Sequence, residues 1–150
     1  MTHPLVVIES PLAGDLELNI AYAQACCYDS ILHSEAPFAS HLFYTQMLDD
    51  LDPSERRLGM HLGWEVTLRA NFVAVYINFG ITPGMQAGIH FAKAHHAPVI
   101  YRSLGDPKWP TVPPELVTSL PAIGQLEVIE SKIERSTFTL QPPPFARQLR

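Results

Sequence analysis

Residues 71–79 read NFVAVYINF, a run that is apolar nearly throughout and rich in β-branched and aromatic side chains. A run this short and continuous predicts a strand covered on both faces, the pattern of a parallel sheet. The remaining punctuation agrees. PLVVIES (4–10) reads as a buried strand closed by Ser10-Pro11, and APFA (36–39) as a second short strand. APVIYR (97–102) reads as a fourth. Between them lie stretches with helical spacing. In 14–35 apolar residues recur at 16, 20, 23, 27 and 31, with Asp15 and Glu17 at the positive end of the helix dipole. Asp52-Pro53-Ser54-Glu55 has the cap, the first-turn proline and the acidic third position of a helix start, predicting a helix to about residue 70. Thr82-Pro83-Gly84 opens another in the same manner. The order β-α-β-α-β-α-β predicts an α/β three-layer sandwich, Rossmann-like, with a parallel sheet and helices on both faces.

Ligands of such sheets bind beyond the carboxyl ends of the strands. Glu9-Ser10-Pro11, Ser40-His41 and the segment 80–84 fall there. At the last of these, free amides and the helix dipole form a place for a phosphate or carboxylate, with Thr82 as the cap and Gly84 allowing close approach. A well-capped helix and nothing more is the alternative. The SPLAGD turn (10–15) is a second small-residue junction, without the glycine spacing of a dinucleotide or P-loop fingerprint. His41 and Tyr44 are candidates for stacking on, or hydrogen bonding to, a base or sugar.

Net charge of -5 argues against a general nucleic-acid binder. No apolar run reaches the roughly 20 residues of a membrane span, and the N-terminus lacks a basic region followed by an apolar core, so the expected location is the cytoplasm. Cys26 and Cys27 are adjacent on a helix and read as reduced thiols. The seven histidines show no ligand spacing such as HExxH, so no metal is expected, and no cofactor. From Gly105 the composition shifts, with eight of the 14 prolines in 105–150. The expected organisation is one domain over 1–104 and a proline-rich arm over 105–150 that is not an independent domain. Within it 105–124 reads as irregular, 125–140 as a strand or a helix, and QPPPFARQLR as an extended polyproline-like tail.

The stretch 4–102, above all SPLAGD, PFASHLFYTQMLDDLDPSERRLG and TPGMQAGIHFAKAHHAPV, resembles a small domain of phage and bacterial genomes in the nucleoside 2-deoxyribosyltransferase-like group, whose relatives include nucleotide N-glycosidases. The resemblance implies a flavodoxin-like fold, a homo-oligomer, a nucleoside or nucleotide ligand and, if phage-encoded, a host cytoplasm. In catalytic relatives a Glu six positions after the opening Asp or Ser acts at the anomeric carbon. Here Thr82 opens the turn, and the sixth position is Gly88. Gln86, the nearby polar residue, is no nucleophile. Asn71 also departs from the acidic residue often found before that strand.

Three readings follow. In the first the chain binds or sequesters a nucleotide or nucleotide-derived signal, with Thr82, Gly84, Met85, Gln86 and Gly88 around an anionic or ribosyl group. Ser10, Pro11, Gly14 and Asp15 would close the other side, and His41 and Tyr44 would meet the base. In the second it is an N-glycosidase or deoxyribosyltransferase with a relocated carboxylate, Glu9 before Glu65. In the third it is a scaffold or assembly protein.

Overall fold

Hydrogen bonding orders the strands β2-β1-β3-β4-β5, every neighbouring pair parallel. They are β1 (Leu5–Glu9), β2 (Ala36–Phe38), β3 (Phe72–Tyr76), β4 (Val99–Leu104) and β5 (Glu127–Ile129). The computed structural model describes residues 2–119 and 127–129. The helices are α1 (Leu16–Leu32), α2 (Ser40–Phe43), α3 (Pro53–Thr67), α4 (Pro83–Ala94) and α5 (Pro114–Ser119), with a 3-10 turn at Tyr44–Gln46. This is the flavodoxin-like α/β arrangement, in which the chain changes direction between β1 and β3 and opens a crevice at their carboxyl ends.

The alternation of side chains along each strand divides the core. Val6 and Ile8 of β1, with Ala74 and Tyr76 of β3, pack on the side that holds Tyr22 and Cys26 of α1. Val7, Val73 and Val75 face the other way, against Met85, Ile89 and Ala92 of α4. Glu9, two residues beyond Val7, belongs to that second face.

Helix starts follow the sequence. Asp15 accepts the Leu18 amide, Asp52 accepts the amides of Ser54 and Glu55, and Thr82 accepts the Met85 amide, with Pro53 and Pro83 at the first helical positions. α1 stops at Leu32, short of residue 35, because Ser34 turns into the left-handed region (φ 60°). No helix among the described residues is long and apolar enough to cross a membrane.

β3 ends at Tyr76, before the expected 79, because Asn78 leaves the ladder to bond elsewhere. Its Oδ1 accepts from Tyr22 Oη and from the Leu104 amide (both 2.8 Å), and its Nδ2 donates to the carbonyls of Leu104 and Pro110 (both 2.9 Å). Trp109 is buried beside it, with its ring 5.3 Å from that of Tyr22. The expectation that 105–124 is irregular needs correction. Residues 114–119 form α5, started by Pro114 and Glu115, and Val112 and Leu116 pack on the α4 side of the core. Residues 127–129 are strand; the rest of 125–140 and the QPPPFARQLR tail lie outside the described residues.

On the α1 side, Arg102 of β4 forms a two-pronged ion pair with Glu35 (2.6 and 2.8 Å), both nearly inaccessible at 4% and 8%. Burial pushes the Glu35 carboxyl up, but the hydrogen bonds from Arg102 and from Ser30 Oγ (2.6 Å) outweigh it and hold the group below its usual range. Removing one partner leaves a buried charge uncompensated. Arg102→Ala is therefore expected to destabilise the fold by about 3–5 kcal/mol in urea titration, and Arg102→Met with Glu35→Leu by much less. Equal losses in the two variants would show that the pair is not what the fold needs there.

Candidate functional site

The crevice between β1 and β3 holds a cavity of about 240 Å³. Glu9, Ser10, His41, Thr82, Gly84 and Met85, all singled out from the sequence, line it. Tyr44 lines a smaller adjoining recess of about 60 Å³ that also touches His41. Pro11 is buried in the turn, while Gly14 and Asp15 are exposed outside the cavity, Asp15 serving as the cap of α1. Gln86 is exposed and does not line it. Glu65, the alternative carboxylate, is exposed on α3 and paired with Arg69 at 2.9 Å, away from the cavity. Asn71 accepts the Leu5 amide (2.7 Å) at the opposite end of the strands.

Gly88 has a different part. It is buried, and a Cβ at this position would collide with Oε1 of Glu9 and lie 2.7 Å from its Cδ. The Glu9 carboxylate thus fills the space that any side chain at 88 would take. No described residue hydrogen bonds to it, and burial pushes the carboxyl up to about 8. On the same cavity, His41 Nε2 lies 2.7 Å from Ser10 Oγ, and burial lowers the ring to about 4, so it is neutral at physiological pH. The tight contact that brings α2 against α3 sets its place: a Cβ on Gly63 would be 2.7 Å from that of Ser40.

Sequence reasoning missed the cation. Arg56 of α3 lines the cavity and places Nη2 3.7 Å from where a Cβ of Gly84 would be, at the first turn of α4. Asp50 accepts from Arg56 Nη1 at 2.8 Å and lines the same wall. Burial pushes the Asp50 carboxyl up, against the pull of Arg56. Nothing in RRL distinguishes Arg56 from Arg57, which is exposed. Trp64, also lining the cavity, stacks on Phe91 of α4 with ring centroids 4.7 Å apart. Along α4 the cavity therefore meets the Arg56–Asp50 pair at Gly84 and, one turn on, the Glu9 carboxyl that lies against Gly88. Among the described residues no group of three His, Cys, Asp or Glu is arranged to hold a metal ion.

The Glu9 carboxyl binds its proton more tightly folded than unfolded. Its compatibility with burial is complete below pH 4.5, the unfolded value, and is lost as pH rises through about 8. Glu9→Gln, which cannot ionise, is expected to melt close to the wild type at pH 4.5 and several degrees higher at pH 9. A constant difference across that range would mean that Glu9 is not desolvated.

Against known proteins, a family model described as "Domain of unknown function (DUF7768)" matches residues 4–102. No curated protein matches the chain. Among solved structures, it is similar to the 2-deoxyribosyltransferase from the psychrotolerant bacterium Bacillus psychrosaccharolyticus, with a TM-score of 0.50 and 15% identity, over 66% of this chain and 72% of that one. The fold is deoxyribosyltransferase-like, and with two thirds of its residues under one family model the chain belongs to the DUF7768 family.

Proposed function

We propose that the cavity takes a nucleoside or nucleotide and that Glu9 is the carboxylate acting at the anomeric carbon, in hydrolysis or transfer across the N-glycosidic bond. The contact between Glu9 and Gly88 supports this reading, because a carboxylate from β1 lies against the helix position at which the resemblance expects one. Breaking the bond from C1′ to nitrogen builds positive charge on the sugar while the bonding pair leaves with the base. An adjacent carboxylate stabilises or traps that charge before water, or a second base, completes the exchange. Arg56 and the first turn of α4 suit sugar hydroxyls or a phosphate, and Met60 and Trp64 supply an apolar wall. The reading includes a homo-oligomer, supported by apolar side chains left exposed, such as Ile31 of α1 at 54% and Leu58 of α3 at 48%.

One feature favours binding without chemistry: burial pushes the Glu9 carboxyl up to about 8, so it is mostly protonated at neutral pH. Base release, followed by chromatography over a panel of nucleosides and nucleotides, separates the two. Free base is expected from at least one member, falling about 10²- to 10⁴-fold in Glu9→Gln. Since ionised Glu9 is the active form, kcat/KM is expected to rise about tenfold per pH unit and level off above about 8. Every substrate returned intact, with melting still raised by one of them, would leave a binding protein.

Gly84→Glu is expected to abolish binding of the same ligand in calorimetric titration, by setting a carboxylate beside Arg56 where the ligand's polar group belongs. Gly84→Ala is expected to keep it, since its Cβ meets nothing closer than 3.7 Å. Unchanged affinity in Gly84→Glu would remove the α4 turn from the site.

A further inference from the structure

We propose that the group released from the sugar is a cationic nitrogen heterocycle, so that the substrate is an N-ribosyl pyridinium rather than a neutral purine or pyrimidine nucleoside. This rests on the reading of Glu9 given above and specifies its substrate class.

A neutral base leaving C1′ with the bonding pair becomes an anion unless a proton reaches its ring, so its departure calls for a general acid. The titratable side chains lining the cavity, among the described residues, are Glu9, His41, Asp50 and Arg56. Arg56 does not give up its proton. Asp50 accepts from Arg56 Nη1 at 2.8 Å, so its carboxyl is committed to that pair. His41 is a neutral ring whose Nε2 is occupied by Ser10. Glu9 must itself be ionised to meet the charge on the sugar. None of the four is free to protonate a leaving base.

A pyridinium needs no such donor. Its nitrogen is already positive, the pair from the breaking C1′–N bond neutralises it, and the heterocycle leaves uncharged. The oxygen of water bonds to C1′ and its proton passes to solvent, so cation and water give neutral heterocycle, sugar and H⁺.

Ground-state charge points the same way. Asp50 and Arg56 cancel and His41 is neutral, so ionised Glu9 leaves one uncompensated negative charge in the cavity. A half-buried carboxylate without a partner is unfavourable, and a cationic ring beside it supplies the missing countercharge. That ring would also draw the proton off Glu9 and arm it, which a neutral nucleoside cannot do. The heterocycle belongs beside Glu9, and the sugar's hydroxyls or phosphate belong toward Arg56.

The experiment compares nicotinamide riboside and its mononucleotide with adenosine, thymidine and their monophosphates, measuring released heterocycle with wild-type protein and Glu9→Gln. Melting shifts of the wild type and of Glu9→Gln with nicotinamide riboside and with its uncharged dihydro form read the charge preference. Nicotinamide release at least about a hundredfold faster than release of any neutral base, lost in Glu9→Gln, is the expected result. So is a stronger shift of the wild type by the cationic form, with the two forms equal in Glu9→Gln. Comparable release of adenine or thymine would overturn the inference and leave the N-glycosidic reading standing. No release and no melting shift from any compound would overturn both.

Discussion

The site depends on a contact between two elements far apart in sequence. β1 ends in a carboxylate that the pleat directs toward α4, and α4 has no Cβ at the residue it meets. Each side requires the other. Any side chain at 88 would drive the Glu9 carboxylate out, whereas Gly88 without Glu9 would leave a hole beneath the helix. A glycine in the middle of a helix is unfavourable by roughly 1 kcal/mol relative to alanine. α4 gives up that much at a buried position, and the space so made holds a charge-bearing group instead of a methyl.

The same contact separates what could be read from the chain and what could not. Strand-helix alternation was legible because β1 and β3 are apolar along almost their whole length and the three long helices begin on caps that act within four residues, at Asp15, Asp52 and Thr82. The site was legible as far as it is local: Ser10, His41, Thr82, Gly84 and Met85 all line the cavity. Glu9 could be named only as one candidate acid beside Glu65, because its meeting with Gly88 is a tertiary fact that neither local pattern contains. Arg56 was missed for the same reason. It faces the cavity because Gly63 lets α3 close on Ser40 and because α3 lies beside α4, and no residue adjacent to it in sequence reports either event.

Prolines misled in one segment. Their density after Gly105 suggested an irregular arm, yet proline favours the first turn of a helix as well as breaking its interior, and Pro114 takes the former part. What ties the segment down is Asn78. One side chain joins the end of β3, Tyr22 of α1, the last residue of β4 and the carbonyl of Pro110, and Trp109 closes over it. Asn78, just past an apolar strand, carries no sign of the three residues it bonds, the nearest of which is 26 residues away in sequence.

Two acidic side chains, on opposite faces of one sheet, show how burial divides architecture from chemistry. Glu35 is met by Arg102 at two oxygens and by Ser30 at one of them, and its carboxyl stays below the usual range. Everything a buried carboxylate needs is supplied by the chain, so it is fixed in one state and serves the fold. Glu9 is met by nothing the described chain offers, borders an open cavity, and is pushed up to about 8. With no partner among the described residues, its ionised form would gain from any group that brings positive charge to that point.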